Sequence, residues 1–115
     1  MAEIVNFFPR QTLVFSASAT YYSEIFDTTN LPTLVLEARL YYESPAGVSI
    51  SVVVEETADP TLVRWTDLGS PQLLTSAGDR KKFTLSGALR FVRVNLVATG
   101  SPTVATLEVI GTASA

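Results

Sequence analysis

In residues 33–43, TLVLEARLYYE, apolar and polar side chains alternate almost without a break. Leu34, Leu36, Ala38, Leu40 and Tyr42 fall on one side of an extended chain, and Val35, Glu37, Arg39 and Tyr41 on the other. A period of two fits only a strand with one face against a core. VSISVVVEE (48–56) repeats the pattern, with Val48, Ile50, Val52 and Val54 set against Ser49, Ser51, Val53 and Glu55. SPAG (44–47) lies between the two runs, so they are expected to form a hairpin. ALRFVRVNLVAT (88–99) sends Val92, Val94, Leu96 and Ala98 inward and leaves Arg90, Arg93 and Asn95 solvated. GSP (100–102) turns the chain, and TVATLEVIG (103–111) returns with Ala105, Leu107 and Val109 inward.

TLVFSAS (12–18), TYYSEIF (20–26) and KKFTLSG (81–87) are β-rich but shorter or less regular. No segment keeps a helical period over about ten residues. Turn signals recur every 8–12 residues or so, which predicts an all-β chain: a single antiparallel β-sandwich or jelly roll of about seven to nine strands. At 115 residues the chain is one domain. Residues 12–115 are expected to form the sandwich, with 1–11 as an N-terminal arm free to pack on a neighbour. DTTNLP (27–32) and SPQLLTSAGDR (70–80) are the longest expected loops.

Composition removes whole classes of chemistry. The chain has no cysteine and no histidine. Thiolate metal sites, disulfides and the commonest general base are therefore absent. A serine or threonine nucleophile needs an activating base, and the only lysines are the adjacent Lys81 and Lys82. No pair of acids shows a cue of facing a cleft, as glycoside hydrolysis requires. The expectation is a non-enzyme without a cofactor. A net charge of −3 and a pI near 4.8 argue against nucleic acid as a partner. No apolar run is long enough to cross a bilayer as a helix, so no membrane partner is expected. The opening MAEIVNFFPRQ has no basic region ahead of an apolar one, so no secretory signal is expected.

Residues 54–70, VEETADPTLVRWTDLGS, hold the densest cluster of chemical side chains. Val52 and Val54 end a core strand, Glu55 and Glu56 meet solvent, and Asp59-Pro60 turns the chain. Trp65 then returns a large apolar surface to the core, and Gly69-Ser70-Pro71 stops the strand. Glu55, Glu56, Asp59 and Asp67 offer oxygen ligands, but their spacing matches no EF-hand loop. Solvated strand ends account for them, and no metal is expected.

The order strand, acid, Asp turn, Trp-Thr resembles discoidin-like jelly-roll modules, as does RFVRV (90–94). The likeness covers roughly residues 33–110, though the terminal cysteines usual in those modules are missing. In size, composition and strand plan the chain also resembles the small β-sandwich decoration and accessory proteins of tailed bacteriophages. That resemblance implies a virion component made in the host cytoplasm. Its partners would be itself, as a homo-oligomer, and the major capsid protein or another shell protein. A trimer would suit three-fold sites on a shell.

The outward phase supplies interface candidates. Val35, Tyr41, Val53, Phe91 and Val97 form an apolar patch laced with Arg39, Arg93, Glu37 and Asn95, provided that their strands are neighbours. Phe7 and Phe8 of the N-terminal segment extend the set. The rival is that the N-terminal segment covers the chain's own sheets. For the alternative of a carbohydrate-binding module, Trp65, Tyr21 and Tyr41 are the stacking candidates, because alternation exposes one ring of each Tyr-Tyr pair.

Overall fold

The computed structural model describes residues 2–16, 20–45, 47–61, 64–86, 90–99 and 103–115. The expected turn at 100–102 and the middle of SPAG lie outside them. Among the described residues there are ten strands: β1 (Ala2–Phe15), β2 (Thr20–Tyr22), β3 (Phe26–Asp27), β4 (Thr33–Ser44), β5 (Ile50–Thr57), β6 (Thr66–Asp67), β7 (Gln72–Leu74), β8 (Arg80–Leu85), β9 (Phe91–Ala98) and β10 (Thr103–Ser114). The first sheet runs β1-β10-β4-β8. The second runs β2-β9-β5-β6, with β3 also on β9 and β7 also on β5. All pairings are antiparallel. If β2 with β3 and β6 with β7 are each counted as one broken strand, both layers are four strands wide. This is the eight-position double layer of a jelly roll, as the alternation predicts.

The expected hairpin between 33–43 and 48–56 does not form. β4 pairs with β10 and β8, whereas β5 pairs with β9, β6 and β7. The chain therefore crosses from one sheet to the other after Ser44. Likewise β9 and β10 lie in opposite sheets. The apolar faces explain both crossings. Leu34, Leu36, Ala38 and Leu40 must meet a second apolar surface, and Ile50, Val52, Val54, Val92, Val94 and Leu96 supply it from across the core; all ten are buried. Each large buried apolar side chain is stabilised by roughly 1.5–3 kcal/mol relative to an exposed one, far more than a local turn preference contributes. The connection contains no Asn-Gly or Asp-Gly pair to hold a two-residue hairpin. Instead Gly47, at φ 88°, donates its N–H to Glu43 Oε1 at 3.2 Å.

Three register shifts, two in β1 and one in β4, change the phase of the alternation. Between β10 and β4, Thr106 pairs with Tyr42 and Leu107 with Leu40, leaving Tyr41 as an extra residue. Tyr42, expected inward, is thus 53% exposed, and Glu43 turns inward and is buried. Between β1 and β10, Asn6 pairs with Ile110 and Phe8 with Val109, skipping Phe7. Phe7 and Phe8 both enter the core, and Phe7 packs edge-on against Phe26 at 5.2 Å. Residues 2–11, expected as an arm for a neighbour, therefore belong to this chain's own first sheet, and its two phenylalanines are core rather than interface.

Candidate functional site

Three successive strands, β5, β6 and β7, stay in the second sheet around VEETADPTLVRWTDLGS. Its turn is tied by Asp59, whose Oδ1 accepts the backbone N–H of Thr61 at 2.9 Å and its hydroxyl at 2.7 Å. Those two bonds, the hydroxyl's first, hold the Asp59 carboxyl below the usual carboxylate range. The Thr57 hydroxyl bonds the Asp59 backbone, and the Leu68 N–H returns to the Val54 carbonyl at 2.7 Å. The loop thereby delivers Trp65 to the outer surface of the sheet. The expected core tryptophan is half-buried outside the sandwich.

There Trp65 meets Arg93. The guanidinium carbon lies 4.2 Å from the indole centroid and 4.3 Å from the ring of Tyr22. Arg93 Nε donates to Glu55 Oε1 at 3.0 Å, and the two side chains are only 21% and 14% exposed. Register places this pair: Glu55 stands opposite Arg93, Val53 opposite Asn95 and Ser51 opposite Val97. Tyr22 adds to the Asn95 row and Leu73 to the Ser51 row. The face thus presents a guanidinium held between two rings, neutralised by one carboxylate, and bordered by Tyr22 (54% exposed), Leu73 (46%) and Val97 (37%). Exposed Asp67 stands opposite Glu55 at the end of the same row, so the surface is amphipathic and this row has no excess of positive charge. It suits an apolar or hydrogen-bonding partner better than an anion.

The expected patch is split between opposite sides of the molecule, because its strands are not all neighbours. Arg93, Val53, Val97 and Phe91 lie on the outer face of the second sheet. Phe91 sits at the far end, beneath the Arg90 guanidinium at 4.9 Å, which also pairs with Asp27 at 3.6 Å. Val35, Arg39 and Tyr41 lie on the outer face of the first sheet. That face carries a polar network beside a small apolar groove. The Tyr41 hydroxyl donates to Glu108, which with burial raises the phenol above its ordinary value. Arg10 stacks on the Tyr41 ring at 4.0 Å, and Glu37 pairs with Arg80 at 2.9 Å and Arg39 at 3.7 Å. Val35 lines a shallow groove of about 280 Å³ with Ile4, Ile110 and Lys82.

Of the sugar-stacking candidates, only Trp65 reaches the second sheet's outer face. Tyr21 points inward, packs edge-on against Phe15 at 5.1 Å and donates its hydroxyl to the Val14 carbonyl at 2.5 Å. Its neighbour Tyr22 takes the exposed position, so alternation exposes one ring of the pair, though not the expected one. The sequence offers both rings of the Tyr21-Tyr22 pair without deciding which is exposed, and nothing in it marks Leu73. Phe26 is inward, and an unbroken strand would put Tyr22 in phase with it. The chain breaks between them, where Ser23 exchanges bonds with Val94 at 2.8 and 2.9 Å. Glu56, expected in solvent, is buried. The four acids do not converge: Glu55 pairs with Arg93, Glu56 turns inward, Asp59 ties its loop and Asp67 is exposed.

No protein-family model matches the chain, and no curated protein matches it. Solved structures share the fold. PBSX exported protein XepA aligns over 100% of this chain and 37% of its own, at 16% identity and a TM-score of 0.66. A chain of infectious bursal disease virus, Gx strain, aligns over 99% of this chain and 32% of its own, at 11% identity and 0.54. A structure from a study of promiscuous carbohydrate-binding modules of the β-sandwich superfamily aligns over 99% of this chain and 52% of its own, at 12% identity and 0.50. The chain spans about a third of the first two and about half of the third.

Proposed function

We propose that this chain is a non-catalytic structural module of a phage or other virus-like particle, one that decorates or stabilises a shell. It docks on a shell protein and associates with its own copies, using buried apolar area and no cofactor. The observation that carries the reading is the outer face of the second sheet, where Tyr22, Leu73 and Val97 stand exposed around an arginine whose charge is already paired. Aromatic residues and arginine dominate interface hot spots, and an arginine neutralised beforehand can be covered at low desolvation cost. The likeness to XepA and to infectious bursal disease virus supports a particle context. The test is native mass by light scattering on the full chain and on a Leu73→Asp/Val97→Asp variant. A stable oligomer or particle-bound form, weakened by the two charges, is the expected result. A single chain at every concentration, unchanged in the variant, would remove self-association from the mechanism.

A second reading rests on the same rings. Trp65 and Tyr22 flank Arg93 and Asn95 on an open surface, as a platform for the apolar face of a neutral sugar would. Trp65 fluorescence titrated with neutral glycans checks it. A saturable shift in a monomer, lost in Tyr22→Ala, would favour this reading over assembly.

A further inference from the structure

Every sheet edge in a soluble sandwich is a template for another strand unless something blocks it. Among the described residues, three of the four edges here are blocked. On one side of the second sheet, β2 and β3 are short and interrupted at Ser23–Ile25. On the other, β6 and β7 are separated by Leu68–Pro71. In the first sheet, β8 opens on three consecutive basic side chains, Arg80, Lys81 and Lys82, the kind of charged edge that discourages a further strand. The fourth edge is β1, the longest strand. Its second half is covered where the Tyr21 hydroxyl takes the Val14 carbonyl, and Pro9 and the two register shifts disrupt its middle. What remains is Ala2–Asn6: straight, paired with β10 on one side and with no strand on the other.

We propose that residues 2–6 of β1 pair antiparallel with the same residues of a second copy, joining two first sheets into one eight-stranded sheet across a two-fold axis. This adds to the assembly reading a second self-contact, on the edge of the first sheet and separate from the outer face of the second, and it rests on that reading. The straight segment is centred on Ile4, so full overlap sets Ile4 opposite Ile4 of the second copy, Glu3 opposite Val5, and Ala2 opposite Asn6. No like charges meet, whereas a register centred one residue earlier would oppose the two Glu3 carboxylates. Ile4 is 86% exposed, an unusual state for an isoleucine in a strand. In the pair it becomes the centre of a continuous outer row, Val35–Thr112–Ile4 and its symmetry mate, because Ile4 is already in register with Thr112 and Thr112 with Val35. The contact is isologous and closes at two copies, because the basic run at the start of β8 discourages the far edge from continuing the sheet. A dimer, rather than the trimer suggested by three-fold sites on a shell, is the unit it builds.

The chain has no cysteine, so a single introduced thiol reports cleanly. Opposed residues of an antiparallel pair have Cα atoms about 4.5–5.5 Å apart, within reach of a disulfide. Under mild oxidation Ile4→Cys is expected to convert to a covalent two-chain species, while Thr84→Cys, exposed on β8, stays a single chain. In light scattering, Ile4→Lys weakens the wild-type dimer about tenfold or more. Cross-linking of Ile4→Cys no faster than Thr84→Cys, with a wild-type oligomer indifferent to Ile4→Lys, would overturn the edge pairing and leave the assembly reading standing. A wild-type single chain up to about millimolar concentration, where even weak contacts register, would remove self-association itself.

Discussion

Arg93 shows how much one side chain can be asked to hold. Its guanidinium ties β9 to β5 through Glu55 and presses β2 and the Trp65 loop onto the sheet through Tyr22 and Trp65. A hydrogen bond to a charged group contributes about 1.5–3 kcal/mol, and each stacked ring about 0.5–1 kcal/mol at a partly exposed site. Arg93→Ala also leaves Glu55 with little solvent and no partner. The variant should lose about 2–4 kcal/mol in urea unfolding, and Arg93→Lys should recover less than half, because an ammonium lacks the flat fork. Arg80 also pairs with a carboxylate, at 2.9 Å, but its side chain is 56% exposed. Arg80→Ala should cost no more than about 0.5 kcal/mol. Equal losses at the two arginines would mean that the stack contributes nothing.

At the scale of strands, β10 is the spine of the first sheet, flanked by β1 and β4. Gly111 sits on its inward phase between Val5 and Leu36, with no room for a side chain. A Cβ there would stand 2.9 Å from the Val35 carbonyl oxygen and 3.3 Å from Leu36 Cγ. A backbone oxygen cannot give way without moving the strand. Gly111→Ala should therefore destabilise by about 1–3 kcal/mol despite its higher strand propensity, as measured by thermal or urea unfolding. A neutral or stabilised variant would show that the sheet opens there freely. The same strands mark what the sequence could disclose. Leu34 to Leu40, Val92 to Leu96 and Ala105 to Val109 are buried as their alternation requires, since each follows the pleat without interruption. Partner choice is not encoded in that pattern. An alternating strand satisfies its apolar face equally well beside its neighbour in sequence or across the core from it, so two expected returns became crossings. Bulges are equally silent. One extra residue reverses every later side chain, which put Tyr42 outside and Glu43 inside. The site was half legible. Arg93, Val53 and Val97 lay in a clean outward phase, whereas Trp65 and Tyr22 depend on a two-residue strand and on a break at Ser23.

Across the whole molecule, this topology leaves the chain few local contacts with which to begin folding. β1 pairs with β10, so Ala2 must find Ser114, and most successive strands end in opposite sheets. The return of β5 through β6 is the main short-range pairing, and β9 then adds from further along the chain. Loop closure has to be made before long-range pairing offsets it, which places such folds in the millisecond-to-second range. Trp65 is the sole tryptophan and joins the second sheet through Arg93, so its fluorescence follows the formation of that sheet. Refolding from urea should relax in roughly milliseconds to seconds. If the second sheet forms first around the β5 return, Val54→Ala should slow folding, while Val5→Ala, in the late-pairing β1, should mainly speed unfolding. Both valines are buried, so both variants should be destabilised enough for the comparison to be read. The reverse assignment, with Val5→Ala slowing folding and Val54→Ala leaving it unchanged, would mean that the chain ends meet early and that the first sheet templates the second.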